Sequence, residues 1–243
     1  MFRLAAIVLF TPNPTVKVLG ADSKSDTSNS DETCPVDDDI CRNNFTSATS
    51  TEVGFYDKMT RPYTMKPLSP HFGMVIENFT LTREHCTDKV FMEALKEDIH
   101  KYYVLLFKKQ ELPNILQIDL SKALGKIQST FSKHQASPHP DIFRVSNDRR
   151  EGCTGVGRTG WHIDGTSYST PFQLSLLRMA VVPRMGATLF LPGTHALDDG
   201  TRRGFDAGGA AKRAALEGAR VFDGVLEPGD VTIFDMRVLH CGQ

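Results

Sequence analysis

Apolar positions change their rhythm along this chain, and each change marks a different kind of structure. Residues 4–10 form an unbroken apolar run, whereas 22–52 are poor in large apolar side chains. From Leu68 onward the apolar residues return with regular spacing. Phe72-Gly73-Met74-Val75-Ile76 reads as a strand, and order is expected to begin near Leu68. Phe91, Leu95, Ile99 and Tyr102 keep the three- and four-residue steps of a helix face, with Thr87 placed to cap it. Residues 103–107 read as a buried strand. After Asn114, a second helix is expected with Leu116, Leu120, Leu124 and Ile127 on one face. Beyond Ser129 the pattern shortens to strands and turns: 142–145, 161–164, 172–182, 188–191 and, launched by Pro228-Gly229-Asp230, 231–234. One helical turn is expected at 211–216. Helices first and short strands afterwards predict a mainly β domain with flanking helices, a sandwich or barrel.

The same shifts divide the chain into three parts. Residues 1–21 run from Arg3 through the apolar stretch to Gly20-Ala21, the order of a secretory signal peptide. The stretch is too short to span a bilayer as a helix. An apolar start to a cytosolic chain has the same composition, so the compartment, cytoplasmic or secretory, stays open. Residues 22–66 are rich in Ser, Thr, Asp and Asn and are expected to form a disordered leader, because they bury too little apolar area to offset their ordering entropy. Two glycosylation sequons, at Asn44 and Asn78, are usable only in the secretory pathway. Residues 67–243 are the folded domain.

A net charge of -1 excludes a general nucleic-acid binder, which needs a basic excess to neutralise phosphates. A small-molecule partner is expected instead, without a membrane span, and a homo-oligomer is compatible with the sequence. The cysteines at 34, 41, 86, 153 and 241 show no Cys-x-x-Cys spacing, which argues against a zinc ribbon or a dithiol redox site.

Chemistry concentrates in Gly160-Trp161-His162-Ile163-Asp164-Gly165. In extended chain, side chains two apart point to one face, so His162 and Asp164 can grip one ion. His139-Pro140-Asp141 repeats the spacing, but proline sits badly inside a paired strand. His240 lies 78 residues beyond His162 and adds a second imidazole. Two imidazoles and one carboxylate on one face of a metal form the facial triad of non-haem Fe(II) oxygenases, whose open positions admit co-substrate and dioxygen. Four protein ligands would close the site.

These residues resemble a known family. Phe72-Gly73, Tyr103-Val104-Leu105-Leu106-Phe107-Lys108-Lys109-Gln110, Val145-Ser146-Asn147 and the run from Gly157 to Gly165 look like the taurine dioxygenase (TauD/TfdA-like) family of Fe(II)/2-oxoglutarate oxygenases. Residues 183–190 are similar to that family's Gly-Gly-Asp-Thr-Leu-Phe region. Leu191-Pro192-Gly193-Thr194-His195, residues 229–235 and Leu239-His240-Cys241-Gly242 look more like phytanoyl-CoA dioxygenase relatives. Both groups share the double-stranded β-helix, a cupin-like jelly roll.

The resemblance implies His162, Asp164 and His240 as ligands of Fe(2+), with 2-oxoglutarate and O2 as co-substrates. It implies Thr188 as a partner of the 2-oxoglutarate carboxylate, although Ala187 stands where the pattern has Asp. Arg158, four residues before His162, and Asn147 are the substrate candidates, Arg158 favouring an anionic group. The implied reaction hydroxylates a small organic substrate and releases succinate and CO2. In the family an arginine downstream of the second histidine pairs with the far carboxylate of 2-oxoglutarate. The sequence stops at Gln243, short of that position, so the last strand of the jelly roll is expected to be missing as well, leaving a sheet edge. That departure motivates an alternative: a catalytically inactive β-helix domain that binds a ligand or partner. A zinc hydrolase on the same ligands is disfavoured, because no general base stands out beside them.

Overall fold

A computed structural model describes residues 3–11, 61–70, 72–128, 134–146, 148–154, 160–164, 172–181, 188–197, 216, 219–224 and 226–242. Its layering follows from strand alternation. Strand β10 (Val231–Asp235) is buried at all five positions. Val231 and Ile233 point to a layer of helices, while Phe234 points to a second sheet. Strands β4 (Val104–Phe107) and β7 (Leu174–Val181) behave alike: Leu105, Phe107, Leu174 and Leu176 face the helices, and Val104 and Leu177 face the second sheet. Covering both faces is why these segments read as unbroken apolar runs.

The first sheet adds β1 (Arg3–Thr11), β2 (Thr64–Ser69), β3 (Phe72–Glu77), β5 (Lys126–Gln128) and β6 (Phe143–Val145), in the order β2-β3-β4-β10-β7-β1-β5 with β6 also on β1. The second contains β8 (Thr188–Leu191), β9 (Phe222–Gly224) and β11 (Leu239–Gly242), in the order β11-β8-β9. Two of its strands send Phe190, Leu191 and Leu239 into the core shared with Phe72, Leu177 and Phe234. Strands β3 and β4 are parallel, joined by helices α1 (Arg83–Thr87) and α2 (Lys89–Tyr102), as a crossover requires. With α3 (Asn114–Leu124), these helices bring Phe91, Leu95, Ile99, Leu120 and Leu124 onto the outer face of the sheet. Fully burying each such side chain contributes about 1.5–3 kcal/mol.

Several elements differ in detail from the sequence pattern. Thr87 does not cap α2. It is the last residue of α1, and its hydroxyl donates to the Glu84 carbonyl, so Asp88 takes the cap and accepts from the N–H groups of Val90 and Phe91 at 2.9 and 3.1 Å. Ile127 lies past the end of α3, on β5, yet still packs on the same core. Order reaches back past Leu68 to a strand starting at Thr64. Residues 161–164 form no strand. Their only ladder contact among the described residues is a single bridge from His162 to His240. The apolar run near the N-terminus, which has the order of a signal peptide, is strand β1 here, paired with β7 on one side and with β5 and β6 on the other. The turn expected at 211–216 lies outside the described residues except for Leu216.

The entry to β10 is built on close approach. Gly229 has φ +89°, and a Cβ there would lie 3.2 Å from the Gln110 carbonyl oxygen. Beside it the fully buried Asp230 accepts from Lys108 Nζ at 2.6 Å and from the N–H groups of Lys109 and Glu227 at 3.1 and 2.8 Å. This turn aims β10 along β7 and delivers β11 behind it.

Candidate metal centre

Strand β11 carries His240, and the backbone ties it directly to His162. The His162 N–H donates to the His240 carbonyl at 2.9 Å, and the His240 N–H returns to the His162 carbonyl at 3.1 Å. Such a reciprocal pair sets the two Cα atoms close and puts both side chains on one side of the ladder. The imidazole centroids are accordingly 4.7 Å apart, tilted by 54°. Gly160, with φ +89°, turns the chain into this bridge.

Asp164 completes the group. Its Oδ1 lies 3.6 Å from His162 Nε2 and its Oδ2 lies 3.8 Å from His240 Nε2. One ligand atom from each of His162, Asp164 and His240 falls within 4.8 Å of the others, a set that could hold a metal ion. The far nitrogens set the tautomers. His162 Nδ1 sits 2.6 Å from the Gly160 carbonyl oxygen, and His240 Nδ1 sits 3.1 Å from that of Val238. A carbonyl only accepts, so each Nδ1 carries a proton and each Nε2 is the nitrogen left to bind a metal beside Asp164, the orientation typical of ligating histidines. Burial works against charge on Asp164; without a metal, the protonated forms of His240 and, behind it, His162 donate to and attract its carboxylate and hold it below the usual carboxylate range, and a bound cation would stand where those Nε2 protons sit. The donor set, two imidazoles and one carboxylate, fits Fe(II).

An apolar wall stands behind His240. Phe234 meets its ring edge-on with centroids 5.0 Å apart, and Phe190 lies at 6.5 Å. Thr188 opens β8, two residues before Phe190, the cross-strand partner of His240, so it shares a strand face with that wall. Arg158 and Asn147 lie outside the described residues. His139 and Asp141 form a pair of their own, 3.7 Å apart in a turn. His195 sits in a 3-10 turn and stacks on Tyr103 with centroids 3.6 Å apart.

The sequence pattern missed the clamp that holds the β10–β11 turn. Asp235, buried at the end of β10, accepts from Arg237 Nε at 3.0 Å, Nη2 at 2.7 Å and the backbone N–H at 2.9 Å, with His100 Nδ1 of α2 at 3.6 Å. Val238 N–H then donates to the Asp235 carbonyl, two residues from His240. An acidic residue followed two positions later by arginine carries no distinctive signal in a single sequence.

The sequence model for the taurine catabolism dioxygenase TauD, TfdA family matches residues 64–203. The chain belongs to this TauD/TfdA family. Dioxygenases of the TauD type use Fe(II), 2-oxoglutarate and O2, and the protein is a 2-oxoglutarate-dependent dioxygenase of that kind. Solved structures show the same fold. AAD-2 in complex with Mn(II) and N-oxalylglycine is 17% identical, with 74% of this chain and 90% of that chain covered at a TM-score of 0.51. A taurine dioxygenase from Burkholderia xenovorans is 18% identical, covering 74% and 83% at a TM-score of 0.53. A search of curated proteins found no match. The TauD/TfdA match ends before His240, which joins the site through the backbone bridge to His162. Among the described residues no helix is long and apolar enough to cross a membrane.

Proposed function

We propose that this TauD/TfdA protein holds Fe(II) on His162, Asp164 and His240 and hydroxylates a small anionic organic substrate, converting 2-oxoglutarate to succinate and CO2. The convergence of two Nε2 lone pairs and one carboxylate within 4.8 Å carries the reading. The bound metal and co-substrate supply the oxidising chemistry, and the protein supplies geometry and exclusion of water. His162 and His240 point their lone pairs from a fixed backbone bridge, while Asp164 contributes the negative charge. Phe190 and Phe234 keep the far side of His240 dry. Thr188 is assigned to a 2-oxoglutarate carboxylate, supported by its place on the strand face that holds Phe190. Arg158 is assigned to the anionic group of the substrate and Asn147 to a further polar contact, both from the sequence pattern.

We read the two sheets as the halves of a double-stranded β-helix, with 67–243 as the catalytic domain. The rival reading, an inactive β-helix that only binds a ligand, makes a different prediction. Anaerobic addition of 2-oxoglutarate to the Fe(II) protein is expected to raise a visible charge-transfer band, and exposure to O2 is expected to yield succinate. A folded, iron-loaded protein that gives neither overturns the proposal.

A further inference from the structure

One buried hydroxyl reaches from the end of β8 to the residue before His240. Thr194 is 6% exposed and opens the 3-10 turn Thr194–Ala196 that follows β8. Its Oγ1 donates to the Leu191 carbonyl at 2.7 Å, the local bond a threonine makes to the residue three before it. The same oxygen accepts from the Leu239 N–H at 2.9 Å, 45 residues further on. Leu239 is the cross-strand partner of Leu191, so the hydroxyl links the two sides of the β8–β11 ladder at that pair. A threonine hydroxyl has one proton and two lone pairs, and here the proton and a lone pair are both engaged.

The bond to Leu239 acts on His240 through a single peptide unit. The Leu239 N–H and the Val238 carbonyl belong to one planar trans group, in which they point in opposite directions. Fixing the N–H therefore aims the carbonyl, and that carbonyl oxygen lies 3.1 Å from His240 Nδ1. Two hydrogen bonds in series thus run from Thr194 to the far nitrogen of the imidazole. A peptide whose N–H is bonded is also a stronger acceptor at its oxygen, because hydrogen bonds in a chain polarise one another. The turn that carries Thr194 is anchored in its turn: His195 stacks on Tyr103, whose carbonyl accepts from the Asp235 N–H at 2.8 Å. His162 Nδ1 meets the Gly160 carbonyl instead and stands outside this relay.

We propose that Thr194 is a positioning residue for His240: its hydroxyl sets the rotation of the imidazole, and so the aim of Nε2 at the metal. The assignment rests on the ligand role given to His240 above, and the experiment separates the two. Thr194→Val keeps the shape and removes the hydroxyl, whereas Thr194→Ser keeps the hydroxyl. Mn(II) affinity, read by calorimetry, is expected to fall roughly tenfold in Thr194→Val, the low end for groups that orient a ligating histidine. In Thr194→Ser it is expected to stay within about twofold of wild type, because donor and acceptor both survive. NMR of the isotopically labelled protein loaded with diamagnetic Zn(II) supplies the signature. In Thr194→Val the His240 Nδ1 proton is expected to shift and to exchange faster with water, while the His162 Nδ1 proton, bonded to Gly160, stays as in wild type.

Wild-type Mn(II) affinity in Thr194→Val, or an unchanged His240 proton, overturns the assignment. So does an equal disturbance of both imidazole protons, which marks general loosening, or an affinity in Thr194→Ser as low as in Thr194→Val, which marks a packing role. If Thr194→Val does not fold, Thr194→Cys takes its place, similar in size but only a weak donor and acceptor. A second failure to fold marks a purely structural residue and overturns the assignment too. A wild-type protein that binds no Mn(II) removes the ligand role of His240 itself, whatever the variants do, and this assignment with it.

Discussion

Asp235→Asn tests the clamp behind His240. The carboxylate is buried, and it holds the Arg237 guanidinium through Nε and Nη2 while also accepting the Arg237 N–H. Asparagine keeps one accepting oxygen but turns an amide donor toward a cation. The loss is one charge-assisted hydrogen bond, worth about 1.5–3 kcal/mol, together with part of the Coulomb attraction. Arg237 is 45% exposed, so its freed charge rehydrates. The full cost of orphaning a buried ion, about 3–5 kcal/mol, is therefore not reached. An expected destabilisation of about 3 kcal/mol lowers the melting temperature of a domain this size by roughly 6–12 °C.

The effect must depend on pH. Burial alone would raise the Asp235 pKa, but hydrogen bonds from His100 and Arg237 outweigh it and hold the carboxyl well below the usual range. A lowered native pKa stabilises the fold above the unfolded value, about 3.9, and that stability fades as pH falls toward the native pKa. The wild-type advantage over Asp235→Asn should thus be full at pH 6 and shrink steadily below about pH 4. Loosening this turn also lets His240 drift, so Mn(II) affinity should fall about 10–100-fold, as for other groups that orient metal ligands. Thermal melts across pH with metal titrations check both parts. A variant within 2 °C of wild type at pH 6, roughly 1 kcal/mol or less, or a stability difference that does not vary with pH, would refute the reasoning.

Other consequences are simpler to measure. His162→Ala and His240→Ala should each weaken Mn(II) binding by more than about 100-fold, beyond the cost of losing a group that only orients a ligand, as read by calorimetry. Leu105→Ala, at a fully buried position between sheet and helices, should cost about 2–5 kcal/mol in urea unfolding. Ile115→Ala, 58% exposed, should change stability by less than about 0.5 kcal/mol. Burial, with the charge of Asp119, pushes the Cys86 thiol up to about 11. At pH 8 it should therefore react with a disulfide reagent far more slowly than an unstructured cysteine peptide, and a comparable rate would contradict the raised thiol pKa of this half-buried side chain.

What the sequence made legible follows from periodicity. Residues 188–191 coincide with β8, and Phe91, Leu95 and Ile99 face the core as their spacing requires. The cap of α2 was displaced by one residue because Thr87 and Asp88 are both capping residues and only tertiary context decides between them. His162 and Asp164 do meet, yet not as alternate positions of a paired strand. One bridge suffices, because the ladder partner is the other histidine. The groups that orient the site, the Gly160 and Val238 carbonyls and the Asp235–Arg237 clamp, were not legible. Backbone carbonyls carry no residue identity, and the clamp depends on which side chains a turn brings together.

The bridge between His162 and His240 closes a loop of 78 residues through backbone hydrogen bonds alone. Bringing the ends of so long a segment together costs roughly 4 kcal/mol of chain entropy by the logarithmic closure law. Folding of the sheet meets that cost, so capture of a metal need not. A backbone bridge that does not depend on side-chain ligation leads to an expectation: metal should come and go without unravelling the domain, and the two imidazoles should stay in register when it leaves.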